Sequence, residues 1–199
     1  ARILESAMDH EIKVFILPQS NKISTDFTNN LKRLNKSQAI DVIEISGNSA
    51  FPEIPETTVI IDAMLGSGLS KPLSGLFADV AEHINRANAT IISIDIPTGL
   101  FAEDNSENTG KVICADYTLT FELPKLAFLF PENAPFVGNW QVLPIGLSKE
   151  FISNTSTPYR YITEEDILPL LKTRPKFSHK GTFGHALIVA GSKGKMGAA

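Results

Sequence analysis

Cysteine is almost missing from this sequence: its 199 residues hold one, Cys114. An internal disulfide is excluded, and with it any disulfide-stapled scaffold. Cys114 sits in the apolar run KVICADYTLTF and is expected to be a small buried hydrophobe rather than a nucleophile. A cytoplasmic location is favoured on the same ground. Long hydrophobic runs are lacking too. None approaches the ~20 apolar residues of a membrane helix, and no signal-peptide pattern opens the chain, so no membrane partner is expected. Positive charge is not in excess: 18 basic against 22 acidic residues give a net charge of −4, which argues against a nucleic-acid partner. The four histidines show no zinc-ligand spacing with cysteine. There is no G-x-S-x-G nucleophile elbow, no Walker A loop and no Rossmann fingerprint. His10 and His83 lie on polar helical stretches and are expected in solvent. The lone tryptophan, Trp140, and the twelve phenylalanines are assigned to the core.

What is present fits a folded domain with a sizeable core, at 43% hydrophobic and 20% charged residues. Strands are expected at Lys13–Leu17, Asp41–Ile45, Val59–Ile61 and Ile91–Ile94. Helices are expected at Thr25–Asn35, with Phe27, Leu31 and Leu34 on one face, and at Leu76–Ala87, with Leu76, Val80 and Ile84. This β-α-β-β-α-β order predicts an α/β fold, a Rossmann-like three-layer sandwich with a mainly parallel sheet, truncated at both ends. Val112–Phe121, Leu126–Phe130 and Trp140–Ile145, divided by Pro124, Pro131 and Pro135, read as further strands. Ser148–Pro158 reads as a polar linker. Thr163–Leu171 reads as a short helix with a capping-box-like start, disturbed by Pro169. Ala1–His10 reads as the middle or end of a helix, and His185–Ala190 as a strand. Both ends read as cut, so the chain is expected to be a piece of a longer protein.

Two segments carry the chemistry. In VIIDAMLGSGLSKP a β-branched run ends at Asp62 and passes into Gly66, Ser67, Gly68, Leu69, Ser70, Lys71 and Pro72. In IISIDIPTG a second run ends at Asp95, followed by Thr98 and Gly99. Ligands of open α/β sheets bind at the carboxyl ends of the strands. Glycines there allow close backbone approach, and successive N–H groups with a lysine suit an anion. One such aspartate reads most simply as a cap. Two at equivalent strand ends point to a site, binding a cation, accepting a hydroxyl or moving a proton. Thr98 offers a hydroxyl and a carbonyl beside Asp62 for a hard cation. One carboxylate with neutral oxygens suits a monovalent ion better than a divalent one.

With these residues in view, the chain resembles the YjeF N-terminal-domain family, the NAD(P)H-hydrate epimerases. DAMLGSGLSKPLSGLF is similar to that family's D-A-x-x-G-[TS]-G-L-x-[RK]-P segment and IDIPTGL to its I-D-[IV]-P-[ST]-G segment. ADYTLTFELPKLAFLFPENAPFVGNWQVLPIGL resembles the sheet region that follows. RPKFSHKGTFGHALIVAGSKGKMGAA resembles the opening of the ribokinase-like ADP-dependent NAD(P)H-hydrate dehydratase domain. The resemblance implies an epimerase domain over 1–147, a linker over 148–175 and the start of the dehydratase over 176–199, in the order of the bifunctional repair enzyme. It implies Asp62 and Thr98 as potassium ligands, Gly66–Pro72 and Asp95 as substrate contacts, and Asp95 as the catalytic carboxylate. It implies hydrated NADH or NADPH (NADHX, NADPHX) as substrate, ADP or ATP for the dehydratase, and a homo-oligomer. The family's loop G-x-G-N-N-G-G-D-G, which supplies phosphate contacts and an asparagine ligand to potassium, would precede Ala1, and Ala1-Arg2 resembles its downstream end. The alternative reading is a non-catalytic nucleotide- or protein-binding Rossmann-like module. A sugar-type kinase is the weaker third reading, since the bulk of the chain supplies no kinase phosphate loop.

Overall fold

A computed structural model describes residues 1–7, 10–17, 24–37, 39–47, 51–171, 173–194 and 197. The chain divides into two compact units, 1–149 and 150–199. The first unit opens with α1 (Arg2–Ala7), β1 (Ile12–Ile16), α2 (Thr25–Leu34) and β2 (Ile40–Glu44). The Ser24 side chain accepts from the Phe27 N–H at 3.1 Å and so caps α2. β1 and β2 pair in parallel, with Ile12 opposite Ile40 and Ile16 opposite Glu44.

The second βαβ unit runs through β3 (Val59–Asp62), α3 (Gly75–Arg86) and β4 (Thr90–Ile94). β5 (Tyr117–Phe121), α4 (Ala134–Val137) and β6 (Asn139–Leu143) follow. β3, β4, β5 and β6 lie side by side in that order, all parallel. Among the described residues the strands therefore form two parallel sheets, of two and four strands. α3 packs Phe77, Ala78, Ala81 and Ile84 onto a cluster with Leu73, Ile91, Ile113 and Ala115. A second cluster joins Ile96, Leu100 and Val112 to Ala127, Phe128 and Val137, with Trp140 against it. Burying these aliphatic side chains contributes roughly 1.5–3 kcal/mol each, which fixes the loops after β4 and β5 as firmly as the strands.

Several expectations are corrected. Of Val112–Phe121, only Tyr117–Phe121 is strand. The N–H groups of Ile113, Ala115 and Asp116 go to Thr98, Phe136 and Ile91 respectively, three separate partners rather than one ladder. Leu126–Phe130 is not a strand. Leu126–Leu129 is a 3₁₀ turn that buries Ala127 and Phe128 and runs into a second one at Pro131–Asn133. Pro124 and Pro131 remove ladder donors on either side. Cys114 is exposed, while its backbone N–H donates to Asn85 Oδ1 at 2.8 Å. His10 lies beyond α1. His83 is half-buried, with Nε2 2.9 Å from the Pro52 carbonyl and the ring against Phe51. Phe130, Phe151, Phe177 and Phe183 are exposed rather than core.

The polar Ser148–Pro158 segment contains α5 (Lys149–Asn154). α6 (Glu164–Ile167) is short as expected. The Asp166 carboxylate accepts from the Thr163 N–H at 2.9 Å at its start, and Pro169 lies in the 3₁₀ turn Leu168–Leu170 that follows. His185–Ala190 is not a strand. Leu187, Ile188 and Val189 are exposed, and a lone apolar run without a pairing partner gains no ladder.

Candidate active site

The parallel register sets the site. Asp62, the last residue of β3, lies opposite Ser93 of β4. Two residues past Ser93 the chain leaves β4 at Asp95, so both aspartates reach the same sheet edge. Asp62 is 2% exposed and Thr98 1%. Asp62 Oδ2 accepts from the Ser93 hydroxyl and the Thr98 N–H, each at 2.8 Å. Asp62 Oδ1 accepts from the Thr98 hydroxyl at 2.6 Å and the Met64 N–H at 3.4 Å. Thr98 Oγ1 in turn accepts from the Leu65 N–H at 3.1 Å. A buried charge is tolerated only when donors surround it, and hydrogen bonds to a carboxylate contribute roughly 1.5–3 kcal/mol each. This knot ties the start of the glycine loop to the IPTG turn.

Asp95 differs. Its backbone is in the left-handed region, φ 71°, which costs an L-residue about 1–2 kcal/mol. Such strain persists where the surroundings over-determine the residue, and it clusters at functional sites. Asp95 N–H donates to the Leu119 carbonyl at 2.8 Å. Asp95 Oδ2 accepts from the Ser67 N–H at 3.2 Å. A Cβ on Gly66 would fall 3.2 Å from that same oxygen, so glycine gives the loop room to approach the carboxylate. Asp95 Oδ1 forms an ion pair with Lys125 Nζ at 2.9 Å, both side chains under one-fifth exposed.

The structure thus brings together Asp62, Thr98, Asp95, Gly66 and Ser67. Leu69 packs with the α3 cluster, which makes it an anchor of the loop. Gly68, Ser70, Lys71 and Pro72 are exposed. Pro72 also meets the 110 turn, where a Cβ on Gly110 would fall 2.9 Å from Pro72 Cβ. The reading from sequence missed Lys125 and Gly110. For Lys125 the signal was topological. β5 is parallel to β4, so the residues just past β5 lie beside those just past β4.

Next to Lys125 a cleft of about 380 Å³ opens between Ala102, Glu103, Leu147 and the 121–126 segment. Its walls are mostly apolar, with Lys125 set against the carboxylates of Glu103 and Glu122. At the other end of the site the donors are all oxygens, from Asp62, Thr98 and the Leu65 carbonyl, 3.4 Å from Thr98 Oγ1. Among the described residues no lysine or arginine pairs with Asp62. Its negative charge is met by neutral donors alone, and this set fits a hard monovalent cation.

The family model described as YjeF-related protein N-terminus matches residues 1–127. A bifunctional NAD(P)H-hydrate repair enzyme Nnr of Thermofilum pendens is 35% identical over 97% of this chain and 36% of its own length. An NAD(P)H-hydrate epimerase of Rhodopirellula baltica is 31% identical over 78% of this chain and 63% of its own length. The chain thus spans about a third of the length of the bifunctional relative. The crystal structure of yeast ynu0 shares the fold, with a TM-score of 0.57 at 18% identity, covering 79% of this chain and 65% of that one. With more than half of its residues matched by the family model, this chain belongs to the family of YjeF-related protein N-termini.

Proposed function

We propose that residues 1–147 form an NAD(P)H-hydrate epimerase domain and that Asp95 is its catalytic carboxylate. The observation that carries this reading is the state of Asp95, held in a strained conformation between the glycine loop and Lys125. The relatives named as epimerases and repair enzymes support the substrate class.

The substrate carries a hydroxyl on the ring carbon next to nitrogen. Inverting that carbon requires the C–O bond to break: the leaving hydroxyl takes up a proton relayed through Asp95 and the nitrogen lone pair supplies the electrons, leaving an iminium-type cation and water. Water then adds to the opposite face and gives up a proton. Asp95 faces the cation as a fixed negative charge, which stabilises it where charge develops, and it relays the proton in each direction. Ser67 N–H and its neighbours in the Gly66–Pro72 loop, with Lys71, offer donors and charge to the substrate phosphates. Asp62 and Thr98 would hold a potassium ion, which would offset the buried charge of Asp62 and leave the site receptive to an anionic ligand.

Residues 176–199 open an ADP-dependent dehydratase domain in this reading, with residues 148–175 as the connection. The assembly is a homo-oligomer working in the cytoplasm on NADHX and NADPHX. No described helix is long and apolar enough to cross a membrane. The test is epimerisation of the R-hydrate by the full-length protein, followed by chiral separation, in potassium and in sodium buffer. Turnover that falls when potassium is replaced is the expected result. Tight ligand binding without turnover in either salt would instead identify a binding module.

A further inference from the structure

We propose that Lys125 is the positioning residue for Asp95, an inference that rests on the epimerase reading above. The two oxygens of Asp95 are divided between two segments. Oδ2 takes the Ser67 N–H of the glycine loop, and Oδ1 takes the Lys125 ammonium at 2.9 Å. The carboxylate therefore points where two independent contacts aim it, and removing either lets it turn about its side-chain bonds.

Lys125 is itself held in place. Its carbonyl accepts the Phe128 N–H at 3.0 Å, and the turn it begins buries Ala127 and Phe128. Pro124 fixes the backbone just before it. A lysine on a mobile loop would lose most of its pair energy to side-chain entropy and solvent. This one is 17% exposed and bonded to a carboxylate 19% exposed, where screening is weaker. Lys71, a second cation near the site, is exposed on the glycine loop.

The chemistry makes such a residue useful. Asp95 must be fixed in place when the ring becomes cationic, because misplacing a catalytic group by about 1 Å costs on the order of 100-fold. Lys125 also lines the cleft, so the ammonium borders both the carboxylate and the space open to a ligand.

The test is a double-mutant cycle in the full-length protein. Lys125→Met is expected to lower kcat for epimerisation by about 10–100-fold, with KM changed far less. Lys125→Arg, which keeps the charge, is expected to recover most of the loss. The double variant Lys125→Met with Asp95→Asn should be no slower than Asp95→Asn alone, because Lys125 acts through Asp95. A wild-type kcat in Lys125→Met, or losses that multiply in the double variant, would overturn the proposal. If the unmodified protein shows no turnover, the epimerase reading falls, and the positioning role is decided by the amide NMR signal of Ser67. A signal displaced in Lys125→Met and restored in Lys125→Arg supports it, and a signal unmoved in Lys125→Met overturns it.

Discussion

At the scale of single residues, the site depends on two backbone conformations that side chains rarely take. Gly99 has φ 102°, and a Cβ there would lie 2.3 Å from the Lys111 carbonyl and 2.9 Å from Val112 Cα. Both obstacles are backbone, so neither can rotate away. The Asn108 side chain donates to the Gly99 carbonyl at 2.9 Å, and Ile113 N–H donates to the Thr98 carbonyl at 2.9 Å. Displacing the 111–112 segment would strain the Ile113 N–H tie to Thr98, the residue bonded to Asp62. Gly99→Ala is expected to destabilise the protein by at least about 2 kcal/mol, read as a lowered midpoint of denaturant unfolding. A midpoint within error of the unmodified protein would refute the close packing described. Asp95 is the opposite case, a strained residue retained where glycine would be more comfortable. The motifs DAMLGSG and IDIPTG made both aspartates and Thr98 legible from sequence. Each motif lies at the end of an apolar strand, where the local pattern marks it. Lys125 was not legible in that way, because its pairing with Asp95 spans thirty residues and depends on strand order.

At the scale of elements, β5 and its exit show why the later half was harder to read. Three apolar runs looked alike in sequence, yet one became a strand with an irregular lead-in, one a 3₁₀ turn, and one a strand. Apolar content alone does not distinguish a ladder from a buried turn, and here prolines and long-range N–H partners decided it. Glu122, just past β5, has φ 57°. Its Oε2 accepts from the consecutive N–H groups of Ile145, Gly146 and Leu147 at 2.8, 3.0 and 3.3 Å. The clasp fastens the chain leaving β6 to the chain leaving β5. These donors, Ile145 first and then Leu147, hold the Glu122 carboxyl below the ordinary glutamate range. A folded-state value below the unfolded one means the clasp stabilises the fold fully above the ordinary glutamate range. That contribution is lost as pH falls through the depressed folded value. Glu122→Gln is therefore expected to be less stable than the unmodified protein at neutral pH, with the difference shrinking under acid. Thermal unfolding of both across pH 3–8 (a range of roughly this width suffices) reads the trend, and a gap constant with pH would contradict it.

At the scale of the whole molecule, two βαβ units in the order expected gave parallel pairing, and that much followed from alternating apolar strands and helical faces. The separation of β1 and β2 from the four-stranded sheet did not follow, because the order of strands in a sheet is not written in their local sequence. The expected strand at His185–Ala190 failed for a related reason. A strand is a property of a pair, and its apolar residues lie exposed without one. The site, by contrast, comes from adjacent strands of one sheet, which is why two short motifs located most of it. The central claim is that Asp95 carries out epimerisation at this sheet edge. The most direct measurement is the epimerisation rate of R-NADHX in potassium buffer, for the full-length protein and for its Asp95→Asn variant. Asn keeps the shape and tolerates the left-handed backbone, so folding should be preserved. Turnover in the unmodified protein and a loss of about 100-fold or more in the variant are expected. An Asp95→Asn variant that is folded and turns over at the unmodified rate would contradict it.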